Sequence, residues 1–407
     1  MMAVSETAIG ERALPSFSIP ERDRRWGRLR QLMADQGIDV LVAAPNTGSH
    51  DKHQADARYL TQFGLNGENA ACVFPREGKV VGFGGRSSKL VPHWMEDVRT
   101  PDRPTAAHIV EALEEVGAAH ATIGICGLTA SRLLYMRAPD GVAPYAVVSG
   151  IQAAFPQAKI VSATEVLAEA RMVKGEEEIA FLARGEALAE AAQRALLTTV
   201  RPGVAEARCY AAMLAAEVER GGSLPFAIGW LSGPVGDVYP HLTQPTGRIV
   251  QAGDVILAEI EGRWAGYTAQ IDQSTYVGQV PAACRDAWAV AVDAFERAVA
   301  AMRPGVTFGE LMTACAATPA VGGWEARLGL HGRGLGDDGP LIRPSGPSPQ
   351  LANRPLQEGN VFIVRPAVDR DGRGDVARIG DSVVVTANGA QRLGTRSFDF
   401  AAYNVGF

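Results

Sequence analysis

The sequence predicts an α/β protein, on three observations. Helix-period and strand-period segments alternate through the first third of the chain. Short apolar runs rich in Val and Ile sit between them as buried strands. From Pro225 onward, strands and glycine-rich turns take over, interrupted by two helices. The chain has 407 residues, and at roughly 150 residues per domain it is long enough for two or three domains with a substantial core.

In chain order, ERDRRWGRLRQLMADQ (21–36) predicts a helix, with Trp26, Leu29, Leu32 and Met33 at helical spacing. IDVLVAA (38–44) predicts a buried strand, and NAACVF (69–74) and KVVGFGG (79–85) two strands joined by the turn PREG. A helix over 105–117 and a strand at 121–126 follow. The composition shifts near residue 165, which places a domain border there and divides the chain into 1–165 and 166–407. Lys174 to Leu197 reads as a long helix opened by Glu176, Glu177 and Glu178, three carboxylates suited to the positive end of a helix dipole, and Arg201-Pro202-Gly203 closes it. A helix over 205–220 comes next, then the strands PFAIGWLSG, GDVILAEIEG and QIDQSTYVG. Helices over 281–302 and 307–317 precede the glycine-rich HGRGLGDDG (331–339) and the strands NVFIVRPAV (360–368) and DSVVVTA (381–387).

Hydrophobic residues make up 47% and charged residues 21%, so the chain is not a disordered one. No apolar run reaches the 18 residues of a membrane span. With 39 Lys and Arg against 45 Asp and Glu, the formal charge is −6, and no basic field for nucleic acid is expected. Met1 to Pro20 lacks the apolar stretch of a secretory signal. The five cysteines are odd in number, widely spaced and without a CxxC, which predicts free thiols in a cytoplasmic protein and no zinc knuckle.

Several residues stand out chemically, each with an ordinary reading beside it. Glu259 ends the apolar run of GDVILAE, and a returning strand would bring Gln270 or Asp272 near it; exposed polar strand ends look the same. His241 lies between prolines in YPHLTQP, where a histidine is ordinarily a loop residue. His331 opens HGRGLG, whose glycines let the backbone pass close to something; the strand–helix frame of a dinucleotide site is missing. DRDGRG (369–374) lacks calcium ligands at the required spacing and reads as a hairpin turn. His50-Asp51-Lys52-His53 reads as a solvated loop. Arg365, inside NVFIVRPAV, is the least ordinary: a guanidinium in an apolar strand either reaches solvent at an edge or pairs with a carboxylate of the protein or of a ligand.

Taken together, these residues resemble a family. The segment 165–400 is similar to the pita-bread fold of creatinase, prolidase, aminopeptidase P and methionine aminopeptidase, which implies a creatinase-type α/β domain followed by a pita-bread α+β domain. The peptidases of that group carry Asp, Asp, His, Glu and Glu in fixed order. On this chain the five positions fall on Glu259, Gln270, His331 (in a passage like HGxGL), Arg365 (VFIVRPA for a pattern like VFTIEPG) and Gly380 (RIGDSVVVT for RIEDTVLVT). Four carboxylates worth −4 thus become a set of net charge zero, which implies that no metal and no other cofactor is held.

Locally the chain is more similar to creatinase, the metal-free member. His241 stands 13 residues before Asp254, as creatinase's catalytic histidine stands before the same Gly-Asp, and GYTAQIDQST resembles GYYTALERT. The resemblance implies a metal-independent hydrolase of a C–N bond in a small carboxylate-bearing amide, amidine or cyclic compound. His241 would be its general acid and base, with Glu259, His331 and Asp272 as further catalytic residues. Arg365, Gln270, Tyr267, Arg333 and Glu68 would face the substrate, Arg365 anchoring a carboxylate. A more distant likeness of RYLTQFG (58–64) to the family's N-terminal domain implies a homodimer in which that domain caps the partner's site, with Asn66 and Glu68 reaching across. The alternatives are a single-metal peptidase or lyase, a non-hydrolytic reaction using the same acid–base residues, and a non-catalytic binding protein.

Overall fold

The structure, a computed structural model, describes residues 15–406 except 46–54, 65–68, 86–94, 102–103, 132, 134–140, 225–227, 237–243 and 373–375. Two compact units make up the chain: residues 1–177 with 335–337, and residues 178–334 with 338–407. The sequence border at 165 lies ahead of this division, which falls in the first turn of a helix.

The first unit is built on helix α1 (Ile19–Asp35), strand β1 (Val40–Ala43), α2 (Ala55–Thr61), β2 (Ala71–Pro75), β3 (Val81–Phe83), β4 (Asp97–Arg99), α3 (Ala106–Glu115), β5 (Thr122–Ile125), α4 (Tyr145–Ala154), β6 (Lys159–Ser162) and α5 (Thr164–Met172). Its six strands run in the order β4-β3-β2-β1-β5-β6, with β1 antiparallel to β2 and parallel to β5. Val40, Val42, Val73, Ile123 and Ile125 pack with Ile109, Leu113 and Ile151 of α3 and α4. α1 starts at Ser18, whose hydroxyl accepts the Glu21 N–H, with Pro20 in the first turn. Its buried stripe is Glu21, Arg25, Leu29 and Met33, whereas Trp26 is half-buried. A charged pair enters the stripe because Glu21 takes the Arg25 Nε at 2.7 Å and the guanidinium lies over Phe17 and Tyr59.

The second unit holds α6 (Glu176–Thr199), α7 (Glu206–Val218), β7 (Ile228–Pro234), β8 (Asp254–Trp264), β9 (Tyr267–Val277), α8 (Ala282–Ala301), α9 (Phe308–Ala316), β10 (Glu325–Arg327), β11 (Leu330–Gly332), β12 (Leu341–Ile342), β13 (Val361–Val364), β14 (Ala367–Asp369), β15 (Ile379–Thr386), β16 (Gly389–Arg392) and β17 (Asn404–Val405). The large sheet follows the order β12-β11-β13-β15-β9-β8-β7. Thr307 and Glu310 cap α9 reciprocally, and Ala265-Gly266, both at positive φ, turn β8 into β9 in two residues. On one side of β8, Ile256, Ala258 and Ile260 join a core with Ala189, Leu196 and Met213 of α6 and α7. On the alternate positions, Val255 and Leu257 join the core around Trp288 and Phe295 of α8, and Glu259 and Glu261 follow them. Where α6 crosses the hairpin, Gly185 meets Gly262 backbone to backbone: a Cβ on Gly185 would lie 2.7 Å from the Gly262 carbonyl oxygen.

One strand differs from its sequence reading. NVFIVRPAV is not continuous: β13 ends at Val364 and β14 begins at Ala367. The Arg365 N–H still bonds the Gly329 carbonyl opposite it at 2.8 Å, but Pro366 has no N–H to continue the ladder, which resumes at Ala367 opposite Arg327. Arg365 therefore stands at a break and not inside an apolar strand. The DRDGRG turn is present as far as it is described, with the Gly372 N–H on Asp369 Oδ1 at 3.1 Å. All five cysteines are free and buried. Among the described residues, no helix is long and apolar enough to cross a membrane.

Candidate functional site

Register brings the first two site residues together. Glu259 on β8 lies opposite Asp272 on β9, and Glu261 opposite Gln270, so all four side chains share one face of the hairpin. On its other neighbour, β7, Glu259 faces Gly229, which has no side chain. Gly380, on β15, lies opposite Asp272.

Two guanidinium groups meet these carboxylates. Arg365 Nη1 donates to Glu259 Oε1, and Arg378 Nη1 donates to the same oxygen at 2.9 Å. Asp272 Oδ2 lies 3.5 Å from Arg365 Nη1 and 4.0 Å from Arg378 Nη1. Asp272 Oδ1 accepts from Gln270 Nε2 at 2.8 Å. Arg378 is fixed from below by Ser274, which accepts the Arg378 N–H on its hydroxyl at 2.7 Å and donates its own N–H to the Arg378 carbonyl at 3.0 Å. Arg365 passes over Gly380: a Cβ there would sit 2.9 Å from Arg365 Cβ and from the Val364 carbonyl oxygen. The missing side chain at 380 is thus what gives the arginine its path.

The two carboxylates are driven apart electrically. Burial pushes the Glu259 carboxyl up, but the fields of Arg365, Arg378 and His331 and the Arg365 hydrogen bond outweigh it, so Glu259 lies below its ordinary value. Burial raises Asp272, and the Glu259 charge raises it further, against the pull of the two arginines. At Arg365, burial works against the charged form, and Glu259 and Asp272 more than restore it.

The structure places the remaining sequence candidates as follows. His331 is buried in β11, opposite Ile363, its Nδ1 at 3.2 Å from the Gly332 carbonyl oxygen, and its field acts on Glu259. The glycines after it allow close passage to Asp338-Gly339: a side chain at Gly332 or Gly334 would overlap that segment. Arg333 is buried, with Nη2 on Glu261 Oε1 at 2.8 Å, so it closes the wall beside the cluster through a protein carboxylate. Tyr267 lies five register steps from Asp272, about 17 Å along the strand. Its hydroxyl donates to Glu178 Oε1 at 2.7 Å and its ring meets Phe181 edge-on, so Tyr267 holds the hairpin against α6. His241, Glu68 and Asn66 lie outside the described residues, as do His50 to His53.

Sequence reasoning passed over Arg378. The signal was there in RIGD, where the arginine stands two residues before the position of the pattern's last glutamate. A second missed group is Glu217 on α7. It is fully buried, both its carboxylate oxygens lack a hydrogen-bond partner among the described residues, and burial with the nearby Glu261 charge pushes it up to about 9.

A pair of divalent cations needs oxygen and nitrogen donors around a vacant centre. Here the centre between Glu259 and Asp272 is filled by guanidinium, and of the other positions of the pattern Gln270 supplies an amide, Gly380 no side chain, and only His331 a ring nitrogen. Among the described residues, no group of three or more His, Cys, Asp or Glu side chains is placed to hold a metal. These residues do not fit a dinuclear metal centre.

Comparison with known proteins gives this site its lineage. Residues 181–387 match the model of metallopeptidase family M24, and residues 25–173 match the creatinase/prolidase N-terminal domain. The agropine synthesis cyclase of Rhizobium rhizogenes is 32% identical over 211 residues, which span 48% of this chain and 52% of that protein. The uncharacterized peptidase YqhT of Bacillus subtilis is 27% identical over 384 residues, covering 90% of this chain and 96% of that protein. Among solved structures, the X-Pro aminopeptidase of Thermotoga maritima superposes with a TM-score of 0.72 at 21% identity, over 93% of this chain and 99% of that one. By the match over its C-terminal half, joined to a creatinase/prolidase-type N-terminal domain, this chain belongs to metallopeptidase family M24.

Proposed function

We propose that this chain is a metal-independent hydrolase of a C–N bond in a small carboxylate-bearing amide, amidine or cyclic compound. The observation that carries the reading is Arg365, which bridges Glu259 and Asp272 at the position where the family pattern has a metal-ligating glutamate. Without a metal, water must be activated by a side chain. His241 is the candidate, by its spacing to Asp254 in the sequence. It takes a proton as water adds to the carbon and returns it to the nitrogen as the C–N bond breaks. Asp272 and Gln270, joined by the hydrogen bond from Gln270 Nε2, offer the substrate a polar edge. His331 is suited to face a developing oxyanion. The similarity to a protein named as a cyclase supports chemistry other than peptide cleavage on this scaffold.

Turnover of a panel of small amides, amidines, lactams and dipeptides, before and after exhaustive chelation, tests the proposal. Activity should survive chelation, and His241→Ala should lower it about 10² to 10⁴-fold. Activity lost on chelation and restored by manganese, cobalt or zinc would overturn it. A second reading, cleavage of a peptide bond, is favoured by the relative named as a peptidase, which matches over nearly its whole length. Preference for dipeptides within the same panel would select it.

A further inference from the structure

We propose that Arg365 and Arg378 form a carboxylate clamp whose resting occupant is Glu259, and that the ligand which displaces it is a zwitterion with its two charges close together. The inference rests on the cluster being the substrate site and adds the substrate's charge pattern to that reading.

Three features support a clamp. Both arginines converge on one carboxylate oxygen, Glu259 Oε1, the arrangement that an incoming carboxylate would exploit with paired N–H groups. Each arginine is held by something other than Glu259. The Arg378 backbone exchanges hydrogen bonds with Ser274, and the Arg365 backbone is tied to Gly329 and runs over Gly380. These ties hold the two main chains in place when the occupant leaves, and Asp272 Oδ2, 3.5 and 4.0 Å from the two Nη1 atoms, keeps an acceptor facing both guanidinium groups. Finally, solvent reaches the exchange point: the side chains of Glu259 and Arg365 are 30% and 24% exposed, against 4% for Asp272.

Charge balance then selects the ligand. A plain carboxylate that took the arginines would strand Glu259, and an unpaired charge in a half-buried site is costly. A plain cation would approach two guanidinium groups. A zwitterion exchanges partners without changing the total, its anion going to the arginines and its cation to Glu259. The arginine Nη1 atoms lie within 4.0 Å of both carboxylates, so the ligand's two charges must be only a few bonds apart.

The test is equilibrium binding to the full chain, by calorimetry and thermal unfolding at constant ionic strength. The probes are matched small molecules: glycine and β-alanine, acetate and propionate, ethylamine and propylamine. The zwitterions should bind in the millimolar range, at least about tenfold more tightly than the acids or amines. Arg378→Gln should weaken zwitterion binding about tenfold. Glu259→Gln should do the opposite for the plain acids, which then enter a clamp with no displaced charge to strand, and this arm does not depend on the arginine variant folding. Equal affinity for propionate and β-alanine, no binding of any zwitterion, or no gain for propionate in Glu259→Gln would each overturn the proposal. Metal-dependent turnover with the zwitterion preference intact would remove the metal-free reading and leave this one standing.

Discussion

Glu259 and Asp272 face each other across one rung of the β8–β9 ladder and titrate in opposite directions, the first held down and the second pushed up. The difference comes from position: Glu259 receives the hydrogen bonds of both arginines, whereas Asp272 is more deeply buried and feels Glu259 itself. Burial and the neighbouring charge thus give two carboxyl groups on one rung different proton affinities.

That split has a sign in stability. Asp272 has a raised folded value, so the folded state holds its proton more tightly than the unfolded chain above 3.8, and this contribution falls as pH rises from there through the raised value. Relative to wild type, Asp272→Asn should therefore become progressively less destabilising as pH climbs out of the acid range. Urea midpoints at a series of pH values check the slope.

Glu259 works the other way. Its lowered value supplies stability that is present above 4.5 and lost as pH falls through the lowered value. Glu259→Gln should cost about 2 kcal/mol at neutral pH, the range for hydrogen bonds to charged groups, and almost nothing in strong acid. Chemical denaturation at the two extremes reads the difference.

Gly380→Ala should displace Arg365. The new methyl would press on Arg365 Cβ and the Val364 carbonyl, both at 2.9 Å, with Asp272 Cβ at 3.1 Å. A destabilisation of about 1–3 kcal/mol is expected from overpacking. A crystal structure of the variant should show the Arg365–Glu259 hydrogen bond broken while Arg378 stays in place.

Glu217 predicts an alkaline effect. Raised to about 9, it stays protonated in the fold while an unfolded glutamate ionises near 4.5, so its contribution to stability declines as pH rises between those values. Glu217→Gln keeps the shape and removes the titration. Its melting temperature should exceed that of wild type at pH 8 and should flatten the decline between pH 5 and 9, which scanning calorimetry resolves.

Much of the fold was legible because it is written in local periodicity. The helices over 19–35, 176–199 and 282–301 and the paired strands of β8 and β9 follow spacing, caps and the Ala265-Gly266 turn. The break at Arg365-Pro366 was legible only in hindsight, since an apolar run hides it and the proline alone marks it. The candidate cluster was legible through the resemblance, which singled out Glu259, Asp272, His331 and Arg365. Arg378 was marked only by its place in RIGD, and its role depends on β15 pairing with β9 across more than a hundred residues of sequence, which no local periodicity announces. Tyr267 and Arg333 sit in motifs near the site, yet register and burial give them Glu178 and Glu261 as partners.

The alternate positions of β8 carry a consequence for how the protein responds to substitution. Val255 and Leu257 serve the core, and two residues later the same row turns to Glu259 and Glu261. Substitutions at the charged end of that row would thus change the cluster's electrostatics while the apolar end keeps the helices and sheet assembled, so reactivity and folding are set by different letters of one strand.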